Sequence, residues 1–160
     1  MATERAQARA SAEPEPLRTE HALTAFVSCD GAVDLGRSAA GHRRVIPIVG
    51  GRVEGPRLRG EVLAGGADWQ LTRPDGVLEI DARYEVRLDD GTCVSVRNRG
   101  IVCPPQDGAP GAPYARTVPR FEVPPDGPHA WLARSVFVGT LAVVRGPAPV
   151  NVRVDVFRVL

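Results

Sequence analysis

Residues 77–88 alternate strictly between apolar and charged side chains, and this pattern constrains the fold more than any other in the chain. One face carries Leu78, Ile80, Ala82, Tyr84, Val86 and Leu88. The other face carries Glu79, Asp81, Arg83, Glu85 and Arg87. A period of two residues is that of a half-buried β-strand, because a helix would distribute these side chains around its circumference. The segment therefore predicts a strand with one apolar and one charged face.

Short apolar runs of similar length recur along the chain and are separated by glycine and proline. Residues 74–76 (Pro-Asp-Gly) and 89–91 (Asp-Asp-Gly) have the composition of tight turns on either side of this strand. Segments rich in glycine, proline or small polar residues, 31–41 and 103–113, predict loops. The remaining apolar runs predict strands over 20–29, 45–53, 57–63, 68–72, 92–102, 114–123, 131–144 and 150–159.

Many short strands joined by turns are typical of an antiparallel sandwich or barrel. Closure removes the exposed edges that such β-prone sequence would otherwise present. We therefore predict an all-β protein: a closed, calycin-like antiparallel barrel of roughly eight to ten strands, enough to hold side chains or one small ligand. Residues 1–17 have no apolar centre and predict a disordered tail, whereas residues 18–160 predict a single barrel domain.

Composition and spacing argue against several classes of function. The formal charge of +1 and the scattered arginines do not favour a nucleic-acid or membrane surface. The chain has no lysine, which excludes Schiff-base catalysis. Three cysteines without C-x-x-C spacing and three isolated histidines predict neither a disulfide framework nor a metal site. No phosphate loop or dinucleotide fingerprint is present, so we predict no cofactor. Because the cysteines form no disulfide framework, a reducing cytoplasm fits best.

Several spaced motifs appear in order: Gly50-Gly-Arg-Val-Glu-Gly-Pro56, Gly65-Gly-Ala-Asp-Trp69, Asp81-Ala-Arg-Tyr84, Asp90-Gly91 and Arg97-Asn-Arg-Gly100. With these motifs the sequence resembles the bacterial and fungal family of domain of unknown function 3237, from about Leu23 to Val159. The resemblance implies a small all-β barrel that usually self-associates, as a homodimer or a higher homo-oligomer, without an established general activity. Ala133 stands where the family pattern leads us to expect asparagine, and Phe157 where we expect tyrosine.

Asp68 is the first candidate for catalysis. It follows the Gly65-Gly66 corner and precedes Trp69, so that it could lie at an apolar cavity wall. Desolvation by an aromatic neighbour raises the pKa of a carboxyl, which produces a general acid or base usable near neutral pH. The alternative is that Asp68 only caps the corner by accepting backbone N–H groups.

The two faces of the 77–88 strand offer competing candidates. If the charged face lines the lumen, Asp81 and Arg83 could anchor a carbonyl or carboxylate; if it faces water, Tyr84 enters the cavity instead. Arg97 and Asn98 on the neighbouring strand present the same choice. Weaker binding candidates are charged residues that often pair across strands (Glu54, Arg134) and aromatic residues that line a core or a cavity (Trp69, Phe121, Trp131).

Two functional hypotheses follow. In the first, the protein is a cofactor-independent isomerase, cyclase or lyase of specialised metabolism that acts on a hydrophobic, carbonyl-bearing small molecule. Asp68 would transfer a proton, and an arginine or tyrosine would stabilise the developing oxyanion. In the second, the barrel binds or carries an apolar ligand unchanged. A third option is an interaction module whose dimer face matters most.

Overall fold

A computed structural model describes residues 14–105, 110–144 and 150–160 of the chain. In these ranges the chain forms ten strands and one short 3-10 helix, Ala130–Leu132. The strands are β1 Thr19–Cys29, β2 Val33–Ser38, β3 Gly41–Glu54, β4 Arg59–Val62, β5 Ala67–Thr72, β6 Leu78–Leu88, β7 Cys93–Cys103, β8 Tyr114–Glu122, β9 Phe137–Val144 and β10 Val150–Val159.

Eight of the strands in the described ranges close into an antiparallel barrel. Their order is β1-β10-β9-β8-β7-β6-β4-β3, and β1 pairs again with β3 to complete the circle. The other two strands extend the wall: β2 pairs with the first part of β3, and β5 lies between β3 and β6. The predicted closed all-β barrel is therefore confirmed.

Two segments differ from the sequence-based prediction. Residues 31–41, expected as a loop, contain β2, because this segment forms a hairpin with the start of β3. Residues 131–144, expected as one strand, begin with the 3-10 helix and become a strand only at Phe137, because Trp131 and Leu132 pack against the core. Residues 1–13 of the predicted tail and the 145–149 connection lie outside the described residues.

One end of the barrel interior is filled by apolar side chains. Leu132 and Phe137 are each only 2% exposed, and the Phe137 ring meets the Phe121 ring edge-to-face at 5.1 Å between centroids. The void among Tyr84, Leu132 and their neighbours is about 20 Å³. A void needs roughly 10–15 Å³ of this water-accessible volume to hold one water molecule, so this end has no room for an organic ligand.

Asp90 and His129 connect the packed end to the β6–β7 turn. His129 is nearly buried, and its Nε2 lies 2.8 Å from the Asp90 carboxylate. Asp90 also accepts the Thr92 backbone N–H at 2.9 Å. The pKa of Asp90 is lowered to about 2, mainly by the hydrogen bonds from Thr92 and to a lesser extent by the one from His129. The ionised carboxylate is therefore favoured by the folded state.

We expect the Asp90→Asn variant to melt at a lower temperature than the wild type at pH 7. A carboxyl whose folded pKa is lowered stabilises the fold above its unfolded pKa of about 3.9, and this contribution is lost as the pH falls through about 2. The difference in melting temperature should therefore narrow between pH 4 and pH 2, which thermal denaturation followed by circular dichroism would measure. Asp89→Asn, on the same turn, is the control, and an equal effect of the two changes would contradict the assignment.

Candidate functional site

The opposite end of the barrel interior carries polar side chains. Asp68 on β5 pairs with Ala82 on β6, and Ala82 packs against the apolar core. Because side chains on directly paired residues share a face, Asp68 points inward. Gln70 lies on the same face of β5, whereas Trp69 lies on the outer face and is 43% exposed.

Asp68 belongs to a hydrogen-bonded chain that connects three strands, β3, β5 and β6. Gln70 donates through Nε2 to one carboxylate oxygen of Asp68 at 2.8 Å, and the Asp81 backbone N–H donates to the other at 3.0 Å. Arg44 on β3 donates to the Gln70 Oε1 at 2.8 Å. These contacts hold the carboxylate in one orientation and orient the Gln70 amide through the guanidinium of Arg44.

Burial raises the pKa of Asp68 above its ordinary value, although the hydrogen bonds from Gln70 and the Asp81 N–H act in the opposite direction. Desolvation is thus the dominant effect on this carboxyl. Its source differs from the one expected from the sequence: the barrel interior shields Asp68, and Trp69 projects to the other side. A raised pKa lies closer to neutral pH, so this carboxyl is better suited to exchange protons at physiological pH.

Two further polar side chains lie deep in the interior. Asn98 is 3% exposed and Thr117 is 1% exposed. Within the described part of the chain, neither Oδ1 of Asn98 nor Oγ1 of Thr117 has a hydrogen-bond partner. Buried polar atoms are normally paired, so both oxygens retain the capacity for a further hydrogen bond inside the barrel wall.

The sequence alone does not identify Thr117 as a site residue, although two glycines that flank it in the sheet are a recognisable signal. It lies between Gly100 on β7 and Gly139 on β9 in the sheet. A Cβ at either glycine would come within 2.7 Å of a Thr117 side-chain atom. The paired glycines therefore make space for a branched hydroxyl side chain inside the wall.

Tyr84 and Cys29 are two further ionisable side chains that face the interior. Burial is the largest cause that raises the pKa of each, and the negative charge of Asp68 raises that of Cys29 further. Both groups are therefore neutral near pH 7. The structure thus places Tyr84, and not Arg83, inside the barrel; the Arg83 guanidinium lies outside, 5.5 Å from the Trp69 ring.

The side chains of the other predicted site residues make no hydrogen bond with the Asp68 carboxylate in the described part of the chain. Asp81 and Arg97 are on the outer face, where Arg97 binds both oxygens of the Asp81 carboxylate at 2.9 and 2.8 Å. Glu54 is exposed and pairs with Arg52, and Arg134 donates to the carbonyl of Pro125. Phe121 and Trp131 belong to the packed end. Of the predicted set, the side chains of Asp68, Asn98, Tyr84 and Phe121 face the barrel interior, and Tyr84 and Phe121 lie at its packed end.

The described residues include no group of three His, Cys, Asp or Glu side chains arranged to hold a metal ion. Nor does any helix in the described ranges have the length and hydropathy needed to cross a membrane.

Comparisons with known proteins agree with the fold. A UPF0311 protein of Clostridium acetobutylicum is 35% identical over 130 residues, which are 74% of this chain and 82% of the relative. A UPF0311 protein of Rhodopseudomonas palustris is 38% identical over 136 residues, or 79% of this chain and 88% of the relative.

Solved structures extend the comparison. A crystal structure of a conserved protein from Rhodopseudomonas palustris matches with a TM-score of 0.80 at 37% identity, covering 92% of this chain and all of that one. A crystal structure described as an enzyme from Penicillium herquei matches with a TM-score of 0.67 at 20% identity, covering 91% and 98% of the two chains, and shares the fold. The profile of the family "Protein of unknown function (DUF3237)" matches residues 17–159, and this chain belongs to that family.

Proposed function

We propose that the protein is a cofactor-independent acid/base enzyme that acts on a small carbonyl compound at the polar end of the barrel. The observation that carries the proposal is the Asp68 carboxyl, which points inward, is held by two hydrogen bonds and has a pKa raised by burial. A carboxyl used only to cap a turn would gain nothing from desolvation. One used for proton transfer gains a pKa closer to the working pH.

In this proposal the Asp68 carboxylate removes a proton from the carbon next to the carbonyl group. The C–H electron pair moves into the carbonyl, and the oxygen becomes an enolate that needs hydrogen-bond donors. The Thr117 hydroxyl, which is buried and unpaired among the described residues, can donate to such an oxygen. Return of the proton to a different carbon gives an isomer, and loss of a leaving group from the neighbouring carbon gives an elimination product.

Apolar surroundings support the same proposal. Ile80 and Ala115 are buried on the inward faces of β6 and β8, so that the substrate would meet apolar side chains as well as the polar groups. Exclusion of water strengthens the electrostatic stabilisation of an enolate. The substrate class is therefore a hydrophobic carbonyl compound, of the kind that specialised metabolism produces. The fungal protein of the same fold is described as an enzyme, which favours catalysis over storage.

The proposal is tested by exchange of carbon-bound hydrogen. Incubation of the protein with a panel of small cyclic ketones and enones in D₂O, followed by NMR, is expected to show deuterium at the position next to the carbonyl faster than in buffer or with serum albumin. Native mass spectrometry of the same mixtures reports binding. Binding without exchange by any member of the panel would contradict the enzyme and favour the carrier barrel.

A further inference from the structure

A groove on the outside of the barrel carries more positive charge than the rest of the molecule. It has a volume of about 610 Å³ and crosses β6, β7 and β8. Four arginines and two acids line it, a net charge of +2 in a chain whose total is +1. Small-molecule sites have volumes of roughly 300–1,000 Å³, so the groove has the size of a ligand site.

The arginines of the groove exceed the acids that could pair with them. Arg97 on β7 lies directly between Arg83 on β6 and Arg120 on β8 in the sheet. Asp81 binds Arg83 and Arg97, and these bonds lower its pKa, with Arg97 as the largest cause. Arg120 has no ion-pair partner in the ranges that the structure describes. Like charges directly opposite each other destabilise a sheet, and among the described residues only Arg97 of this opposed pair has an ion-pair partner, Asp81.

Two more arginines at the groove have no ion pair or side-chain hydrogen bond in the described part of the chain. Arg99 lies diagonally across from Arg120, since it pairs with Val118. Arg43 reaches the groove from β3. All three unpaired arginines, Arg43, Arg99 and Arg120, are exposed. Guanidinium groups in such an array match the oxygens of a carboxylate or a phosphate.

The floor between these charges is apolar. Ile101 is 37% exposed and Val118 is 51% exposed, and both line the groove. An inorganic ion would leave these side chains in water. A molecule with an apolar body and an anionic group would cover the floor while it satisfies the arginines, so the lining fits an organic anion better.

We propose that the outer groove binds a small organic anion, with Arg99 and Arg120 holding the oxyanion and with Ile101 and Val118 contacting the apolar body. The site is separate from the barrel interior and does not depend on the proposed catalytic role of Asp68. The shared chemistry is an oxyanion on an apolar body. Benzoate and phenyl phosphate, used as separate probes, distinguish a carboxylate from a phosphate ester.

The test is titration calorimetry of the full chain with each probe and with the neutral analogue benzamide. We expect benzoate or phenyl phosphate to bind, benzamide to bind more weakly, and binding to weaken as the salt concentration rises. The Arg99→Gln/Arg120→Gln variant should lose affinity for the anion by at least about tenfold. Arg37→Gln/Arg59→Gln removes the same charge from exposed positions outside the groove and should bind as the wild type does.

Three results would overturn the inference. One is the absence of binding by both anionic probes, and another is equal affinity of the groove variant and the wild type. The third would come from sedimentation velocity. If the wild type binds no anion and forms an oligomer that dissociates in the Arg99→Gln/Arg120→Gln variant, the groove is a contact between copies of the chain. None of these results depends on deuterium exchange, so they leave the proposed function separately testable.

Discussion

Replacement of Asp68 by asparagine is expected to lower the rate of deuterium exchange into a carbonyl substrate by about 10²–10⁴-fold, the usual contribution of a general acid or base. Asparagine has nearly the same shape and can still accept the Asp81 backbone N–H, but it cannot take up a proton. Ligand binding, measured by native mass spectrometry, should therefore persist. Exchange should be lost while the circular dichroism spectrum remains that of the wild type.

Asp75→Asn is the matched control for this experiment. Asp75 lies in the β5–β6 turn, is exposed and pairs with Arg73, so the change removes the same charge outside the barrel. Its exchange rate should equal that of the wild type. If Asp68→Asn retains the wild-type rate, Asp68 has a structural role only and the proposed mechanism is wrong.

The pH dependence of exchange follows from the same carboxyl. Because burial raises the pKa of Asp68, the carboxylate that acts as the base is lost at a higher pH than in an exposed aspartate. The rate should be constant at neutral pH and fall as the pH drops through this raised pKa. The acidic limb of the pH–rate profile should be absent in the residual activity of Asp68→Asn.

Replacement of Gly51 by alanine is expected to destabilise the protein by about 2–5 kcal/mol. The residue lies at the β1–β3 seam that closes the barrel, opposite Val27, and has a φ of 138°. A φ in this range, which residues with a Cβ rarely adopt, costs an alanine roughly 1–2 kcal/mol. The new Cβ would also collide with the carbonyl of Phe26, and overpacking of this kind costs about 1–3 kcal/mol more.

Gly50→Ala separates the two contributions. Gly50 also has a positive φ, 151°, but a Cβ there would meet only the Val62 carbonyl oxygen at 3.8 Å, an ordinary contact. Urea denaturation should give a loss of about 1–2 kcal/mol for this variant. Equal losses for the two alanines would show that the seam does not hold β1 and β3 at the distance described.

The barrel could be predicted from the sequence because the patterns that specify its strands and turns are local. The alternation in residues 78–88 assigns each side chain to a face without knowledge of any neighbour, and the turn residues around it fix the hairpins. The pattern of residues 31–41 was too polar to indicate a strand. β2 forms there because the start of β3 provides a partner, which is a property of the pairing and not of the segment.

The sites depend on lateral register, which the sequence does not reveal. Arg97 and Arg120 are 23 positions apart, and only the β7–β8 pairing makes them neighbours. Thr117 is recognisable only after the same register places it between two glycines. Asp68 could be predicted as a site candidate from the sequence because a glycine corner precedes it. The face of the sheet to which its side chain points depends on its pairing with Ala82.

The central physical claim is that the barrel interior withdraws the Asp68 carboxyl from water. The most direct measurement is an NMR titration of the ¹³C-labelled carboxyl, assigned by comparison with Asp68→Asn. We predict a midpoint above the ordinary value of 3.8, because desolvation outweighs the hydrogen bonds from Gln70 and Asp81. A midpoint at or below 3.8 would mean that desolvation does not outweigh the hydrogen bonds and would contradict the account.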